Sequence, residues 1–187
     1  RSRGLGDVYK RQAVTLHKLG QKNIALITEG RYMGTSRNTG SDKQTYYKMT
    51  QCGSEPDSVR KMAKTLFEGG CVDGDIAMAE AAGSLRAFYH LVDIGVPFPF
   101  NKSGEYVGYK TDHDPLKRGI SAGPLTSKYM TECLERQAEE RGIPFFDGYQ
   151  AVRLLTEEKD GEKRAAGIIA LNKQKAASPD ERYAVFS

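Results

Sequence analysis

The sequence has no tryptophan and only three cysteines among its 187 residues. Cys52, Cys71 and Cys133 are odd in number and widely separated, with no Cys-x-x-Cys pair and no Cys/His cluster. That pattern offers no disulfide framework and no zinc spacing, so no metal site is expected, and free thiols in a reducing, cytoplasmic setting are the simplest reading. No run of about 18 apolar residues occurs, so no segment is expected to span a membrane. No apolar signal-peptide core precedes a small-residue cleavage site, so nothing marks the chain for export. Internal repeats and low-complexity tracts are also missing. A strong charge of one sign is lacking too: 28 Lys+Arg against 24 Asp+Glu gives a net +4.

Most of that small excess sits at one end. Residues 1–12, RSRGLGDVYKRQ, hold Arg1, Arg3, Lys10 and Arg11 against Asp7. The other 175 residues carry 24 basic and 23 acidic side chains and are nearly neutral. The dodecamer looks like translated read-through of a sequencing adapter, and the chain has no initiating Met. The competing reading is a native basic arm. At the other end, Tyr183-Ala184-Val185-Phe186-Ser187 alternates like a strand. The expectation is therefore a non-native head over 1–12 and one partial domain over 13–187, cut at both ends. The near-neutral balance removes the electrostatic case for nucleic acid. The ten Tyr and seven Phe fall mostly in apolar stripes, without the basic-aromatic interleaving that binds single strands.

Along the chain, Ala13–Gly20 reads as the tail of a helix with Leu16 and Leu19 on one face and Gly20 as its stop. Asn23–Thr28 is a short apolar run suited to a buried parallel strand, followed at once by Glu29-Gly30. Together they form the second half of a βαβ unit. Its first half, a strand and a Gly-rich turn, would lie where the adapter-like residues stand. A helix is expected near Lys43–Met49. Another is expected after an N-cap at Ser54, with Val59, Met62, Ala63, Leu66 and Phe67 at helical spacing before Gly69-Gly70. Asp73 caps the next, with Ile76, Ala79, Ala82, Phe88, Leu91 and Val92 as its apolar face and Gly95 as its end. Val96–Phe100 is extended. Residues 101–123 lack periodicity, which in a compact domain points to a functional loop. Leu125–Arg141 is a helix with Tyr129, Met130, Cys133 and Leu134 on its apolar side. Ile143–Phe146 is a strand. Ala151–Thr156 and Ala165–Leu171 form a hairpin around Lys159-Asp160-Gly161. Asn172–Asp180 is a polar turn before the last strand.

Three places carry chemistry. An acid at Glu29, ending the second strand of a dinucleotide fold, can accept both hydroxyls of an adenosine ribose. The bland reading is a solvated glutamate. The small polar run Thr35–Asp42 lets backbone N–H groups approach a phosphate or a flat ring, and Arg37 could neutralise a pyrophosphate or cover a ring. A plain loop would have the same composition. In Gly108–Arg118, Asp112, His113 and Asp114 could relay a proton, while Lys110 and Arg118 could bind a carboxylate substrate. Asp-x-Asp-Pro is equally good turn chemistry. His17 and His90 lie on helices, where packing or surface roles suffice.

Taken together, ITEGRYMGTSRNTGSDKQTYY, FEGGCVDGDIAMAEAA, LVDIGVPFP, GEYVGYKTDHDP and LTSKYMTECLERQAEERGIPFFDGYQAVRLL resemble the flavoprotein-subunit family of fumarate reductase and succinate dehydrogenase, with its L-aspartate oxidase relatives. The likeness covers nearly all of residues 13–187. It implies an α/β chain: an incomplete Rossmann-like FAD/NAD(P)-binding domain with a helical insertion and a β-meander. It implies FAD as cofactor and hydride transfer to or from a small substrate of dicarboxylate or enoate type. A redox partner protein is left unspecified. By position, Glu29 and Gly30 match the ribose end, and Ser36, Arg37, Asn38, Thr39, Gly40, Ser41 and Asp42 match the segment along the pyrophosphate and flavin. Ala151 matches the residue whose backbone pairs with adenine. Some members attach FAD through a His where this chain has Arg37, so non-covalent FAD is expected. The family's paired Gly is reduced here to Gly40-Ser41. His113 and Arg118 are the candidates for a substrate site. The family's usual substrate-binding Arg and His residues would follow Ser187. Without the Gly-rich turn, this stretch is expected to bind FAD weakly or not at all and to have no turnover. The competing function is a non-catalytic nucleotide-binding or interaction module.

Overall fold

A computed structural model describes residues 6–52, 55–112, 114, 116–175 and 182–187. His113, the expected cap Ser54 and most of the expected Asn172–Asp180 turn lie outside the described residues. In chain order the elements are α1 (Gly6–Lys18), β1 (Leu26–Thr28), α2 (Thr35–Asn38), β2 (Tyr46–Tyr47), α3 (Val59–Glu68) and α4 (Gly74–Asp93). They continue with β3 (Gly119–Ile120), α5 (Thr126–Glu140), β4 (Phe145–Asp147), β5 (Tyr149–Lys159), β6 (Glu162–Asn172) and β7 (Tyr183–Phe186). Mixed helix and strand agrees with the expected α/β class. The contacts divide the chain into two compact units, one of residues 1–38 with 134–187 and one of residues 39–133. No helix among the described residues is long and apolar enough to cross a membrane.

In the first unit, β1 pairs in parallel with β4, Leu26 opposite Phe145 and Thr28 opposite Asp147. The expected strand over 23–28 is thus three residues long, and half-buried rather than covered on both faces. Ala13, Val14, Ala138 and Ile143 form the core beneath it, with Ile24, Leu26 and Phe145 packed against them. Helix α1 is described from Gly6, earlier than the expected tail at Ala13. Its buried side is Lys10, Ala13 and Val14, while Leu16 and Leu19 are exposed. It stops as expected at Gly20, with the Gln21 N–H closing back on the Leu16 carbonyl. The expected meander is present, in the order β5-β6-β7, antiparallel throughout. Its hairpin turns on Asp160 and Gly161, at φ 54° and 77°. Both central residues at positive φ define the twist-matched two-residue turn that Asp-Gly favours.

In the second unit, α3 and α4 pack through Met62, Ala63, Ala77 and Ala81, alanines that let the helices approach closely. The N-cap of α3 is Ser58, whose side chain accepts the Lys61 N–H. Asp73 caps α4 as expected. The buried stripe of α4 is Ala77, Ala81, Ser84, Phe88 and Leu91, one position from the expected face at its start, and Ile76 is exposed. Buried Ser84 stays satisfied by donating to the Ala81 carbonyl and accepting the Met49 N–H. The expected helix near Lys43–Met49 is instead strand β2, Tyr46 opposite Ile120 and Tyr47 opposite Gly119. Adjacent tyrosines favour a pleated, half-buried site over a helix, and tertiary pairing decides the matter. Phe88 centres an aromatic group, with Phe98 at 5.0 Å, Tyr106 at 5.2 Å and Tyr46 at 5.9 Å between ring centroids.

Lys48 enters this group. It is 1% exposed, its Nζ lies 4.9 Å from the Phe88 ring centroid, and carbonyls of Met49 and Tyr106 are 3.5 Å away. Burial lowers the pKa of its ammonium, only partly offset by Cys52. A buried cation held by two long carbonyl contacts and a ring is undercompensated. Lys48→Met is expected to stabilise the protein by about 1–2 kcal/mol in denaturant unfolding at neutral pH. A lowered pKa in the folded state means the folding cost is present at neutral pH and relieved as pH rises toward the ordinary lysine value. The gap between variant and wild type should therefore narrow as pH rises toward the ordinary lysine value.

Candidate functional site

The first unit gathers the expected ribose end at the carboxyl ends of β1 and β4. Both strands end in an acid followed by glycine: Thr28-Glu29-Gly30 and Phe146-Asp147-Gly148. Asp147 Oδ1 accepts the Arg31 N–H at 2.8 Å and the Gly148 N–H at 3.0 Å, fixing the turn after Glu29. A Cβ at Gly30 would run into the Met33 side chain, which is exposed and would have to shift to admit it. Glu29 is exposed and accepts from Lys173 Nζ at 2.7 Å. Lys173 is set by a tight turn, with Asn172 Oδ1 accepting the Gln174 and Lys175 N–H groups. In open sheets, ligands bind outside the carboxyl ends of parallel strands, and Glu29 stands exposed at this end. Ala151 lies on β5, an edge strand of its sheet that packs beside β1, with a bulge between Ala151 and Arg153.

Behind the turn, Glu135 of α5 is buried at 6% exposure and draws in three cations. Lys10 Nζ and Arg37 Nη1 donate to its Oε2 at 2.5 and 2.9 Å, and Arg31 Nε donates to its Oε1 at 2.7 Å. Arg31 also reaches Glu139 and lies 4.3 Å from the Phe145 ring, while Arg37 lies 4.8 Å from the Tyr32 ring. Burial pushes the Glu135 pKa up, but hydrogen bonds from Lys10 and Arg31 and their charges outweigh it and hold it below the ordinary range. Ser36 donates to Asp7 at 2.7 Å. Asn38 spends its amide on the Tyr32 and Gly34 carbonyls. Arg37 and Asn38 are thus tied to protein partners in this state.

In the second unit, Thr39, Gly40, Ser41 and Asp42 form an exposed strip. The Ser41 N–H donates to the Pro124 carbonyl at 3.0 Å, and its Oγ accepts the Lys43 N–H at 3.1 Å. Gly40 runs close to the entry of α5: a Cβ there would meet Leu125 Cδ2 at 3.2 Å.

Arg118 sits elsewhere in the same unit, with 0% exposure. Its guanidinium forks onto Asp57 at 2.9 and 2.7 Å. It also donates to the Thr65 hydroxyl at 2.9 Å, the Tyr47 hydroxyl at 3.1 Å and Asp114 at 3.4 Å. A substrate carboxylate would have to displace two carboxylates already in place, so this geometry is that of a strut between β3, β2 and α3. Burial raises the Asp57 pKa, yet the Arg118 contact and the Thr50 and Ser58 N–H groups hold it low. Tyr47 is pushed up to about 12, first by burial and then by Asp114, against the opposing pull of Arg118. Asp112 and Lys110 are exposed. No group of three or more metal-ligating side chains occurs among the described residues.

Asp147, Lys173, Glu135 and the Tyr47–Asp57–Thr65 set escaped the sequence reading. The repeated acid-Gly strand ending was the available signal for Asp147. The others depend on partners far along the chain.

Two stability outcomes follow. Glu135→Gln leaves three cations without their carboxylate and should cost about 3 kcal/mol in denaturant unfolding at pH 7. Because the folded Glu135 pKa is depressed, its contribution is present above the ordinary glutamate value and lost as pH falls through the folded one. Wild type and variant should therefore converge in acid, below the ordinary glutamate value. The raised Tyr47 pKa contributes stability that is present below the ordinary tyrosine value and lost as pH rises toward about 12. Alkaline unfolding over that range should be shallower in Tyr47→Phe than in wild type.

No family model matches the chain, and no curated protein matches it. Solved structures do share its fold. A 3-ketosteroid-Δ4-(5α)-dehydrogenase from Rhodococcus jostii RHA1 is 17% identical with a TM-score of 0.67, over 89% of this chain and 40% of that one. An E. coli quinol fumarate reductase subunit is 18% identical with a TM-score of 0.67, over 90% of this chain and 28% of that one. A flavocytochrome c3 fumarate reductase is 15% identical with a TM-score of 0.70, over 98% of this chain and 30% of that one. The chain thus spans less than half the length of each. The fold it shares is that of solved dehydrogenases and fumarate reductases.

Proposed function

We propose that the chain is the FAD-binding part of a longer flavin-dependent oxidoreductase that holds FAD non-covalently. The observation that carries this reading is the pair of parallel strands ending in acid-Gly, with Glu29 exposed at their carboxyl ends. The shared fold supports it. Bound FAD would supply hydride transfer to or from a small dicarboxylate or enoate substrate. The chain's own residues would bind and orient. Glu29 would trade its Lys173 contact for the ribose hydroxyls, with Gly30 keeping the turn tight. The backbone at Ala151 would take the adenine edge. Ser36, Arg37 and Asn38 would lead toward the pyrophosphate, and Thr39, Gly40, Ser41 and Asp42 toward the flavin ring. Arg37 would exchange part of its Glu135 contact for phosphate. Arg118 would hold the 108–118 loop through Asp57 and Asp114 rather than touch substrate, leaving His113 as the proton-transfer candidate.

Lys10 and Asp7, which pair with Glu135 and Ser36, belong to the adapter-like dodecamer. In the parent, a strand and a Gly-rich turn would take that place and present a helix N-terminus to the pyrophosphate.

Sequencing the genomic DNA around both ends and purifying the encoded parent tests the proposal. The expected parent has an upstream strand with Gly-x-Gly-x-x-Gly, is yellow, and releases its flavin into the supernatant on acid precipitation. A colourless parent contradicts the reading, and flavin remaining with the precipitate contradicts non-covalent binding. A reading frame that starts near Arg1 and stops after Ser187 favours the non-catalytic module. The chain as it stands is expected to bind FAD weakly or not at all, which a flavin-loaded preparation of it would contradict.

A further inference from the structure

We propose that Gln44 is a positioning residue for the flavin-facing strip, a role that rests on the flavoprotein reading above. Its side-chain amide bridges two backbones. Oε1 accepts the N–H of Ser127 in the first turn of α5 at 3.0 Å. Nε2 donates to the Thr39 carbonyl at 3.3 Å, with the Thr39 hydroxyl at 3.5 Å. The Gln44 N–H itself donates to the Ser41 carbonyl at 3.1 Å. One residue therefore holds both ends of the Thr39–Ser41 curve and fastens it to a 15-residue helix.

The Ser41 N–H contact with Pro124 and the close approach of Gly40 to Leu125 are on the same side, toward the start of α5. With the Thr39 carbonyl and the Ser41 N–H turned inward, the Gly40 and Asp42 N–H groups have no acceptor among the described residues. Two backbone donors in an exposed, tethered strip are what a flavin ring edge needs, because preorganised dipoles cost no rearrangement when the ligand arrives. Gln44 is half-buried and the strip it tethers is exposed.

The amide's two ends can be separated. Gln44→Glu keeps an acceptor for the Ser127 N–H and adds negative charge at a helix N-terminus, which favours stability. It removes the donor to the Thr39 carbonyl. Gln44→Met removes both contacts at similar size. The test is FAD affinity and thermal midpoint of the full-length parent and both variants, with flavin removed and titrated back by fluorescence. The expected result is that Gln44→Glu unfolds at or above the wild-type temperature yet binds FAD roughly three- to tenfold more weakly, the worth of about one hydrogen bond. Gln44→Met should lose affinity by a similar factor and also unfold earlier. A visible shift of the bound-flavin absorption band in Gln44→Glu would accompany the affinity loss. If wild type binds FAD and Gln44→Glu binds equally well with an unchanged spectrum, Gln44 is only a helix cap and the proposal fails. If affinity merely follows the thermal midpoint in both variants, it fails as well. If the wild-type parent binds no FAD, the flavoprotein reading falls and takes this role with it.

Discussion

The parallel pairing of Leu26–Thr28 with Phe145–Asp147 is the constraint on which the first unit depends. Parallel strands cannot be joined by a tight turn, so the pairing must bring together segments more than a hundred residues apart. It also places both strands' carboxyl ends side by side. That is why Glu29, Gly30, Asp147 and Gly148 meet, although nothing local in the sequence links them. Asp147 then holds the backbone at Arg31, and the turn after Glu29 is fixed from the neighbouring strand rather than from its own.

Each unit is further specified by a buried ion held by several opposite partners. In the first, the Glu135 carboxylate joins α5 to α1, to the turn after β1 and to α2 through Lys10, Arg31 and Arg37. In the second, the Arg118 guanidinium joins the β-ribbon to α3 through Asp57, Tyr47 and Thr65. Burying an ion is costly, and these sites tolerate it because several partners take up its charge and hydrogen-bonding capacity. Lys48 shows the contrast: it is about as buried as Arg118, but its partners among the described residues are carbonyls and an aromatic face. The same chemistry explains why Arg37 and Arg118, both reasonable anion ligands by residue type, are engaged inside the protein.

Elements with strong local signals were legible in the sequence. Asp73 and its following helix, the Gly20 stop, the Asp160-Gly161 hairpin and the alternating last strand follow from capping, positive φ and period-two patterning. The apolar strand before Glu29 was legible from composition, but only its last three residues pair. The region around Tyr46 was not legible, since its strand exists only because Gly119-Ile120 comes alongside from over seventy residues away. At the candidate site, Glu29 and residues 36–42 were singled out by residue type and order alone. Their partners Lys173, Glu135 and Gln44 were not, because long-range hydrogen bonds leave no periodic trace. The loop Gly108–Arg118 looked reactive for its charges, yet its most buried charge, Arg118, is paired with Asp57 inside the protein.

The central claim is that the carboxyl end of β1 is the adenosine end of an FAD site. Titrating FAD into the flavin-free parent and its Glu29→Ala variant tests this directly. Loss of two hydrogen bonds to the ribose should weaken binding by about tenfold or more at an unchanged unfolding midpoint. Equal affinity in the two proteins would contradict the account.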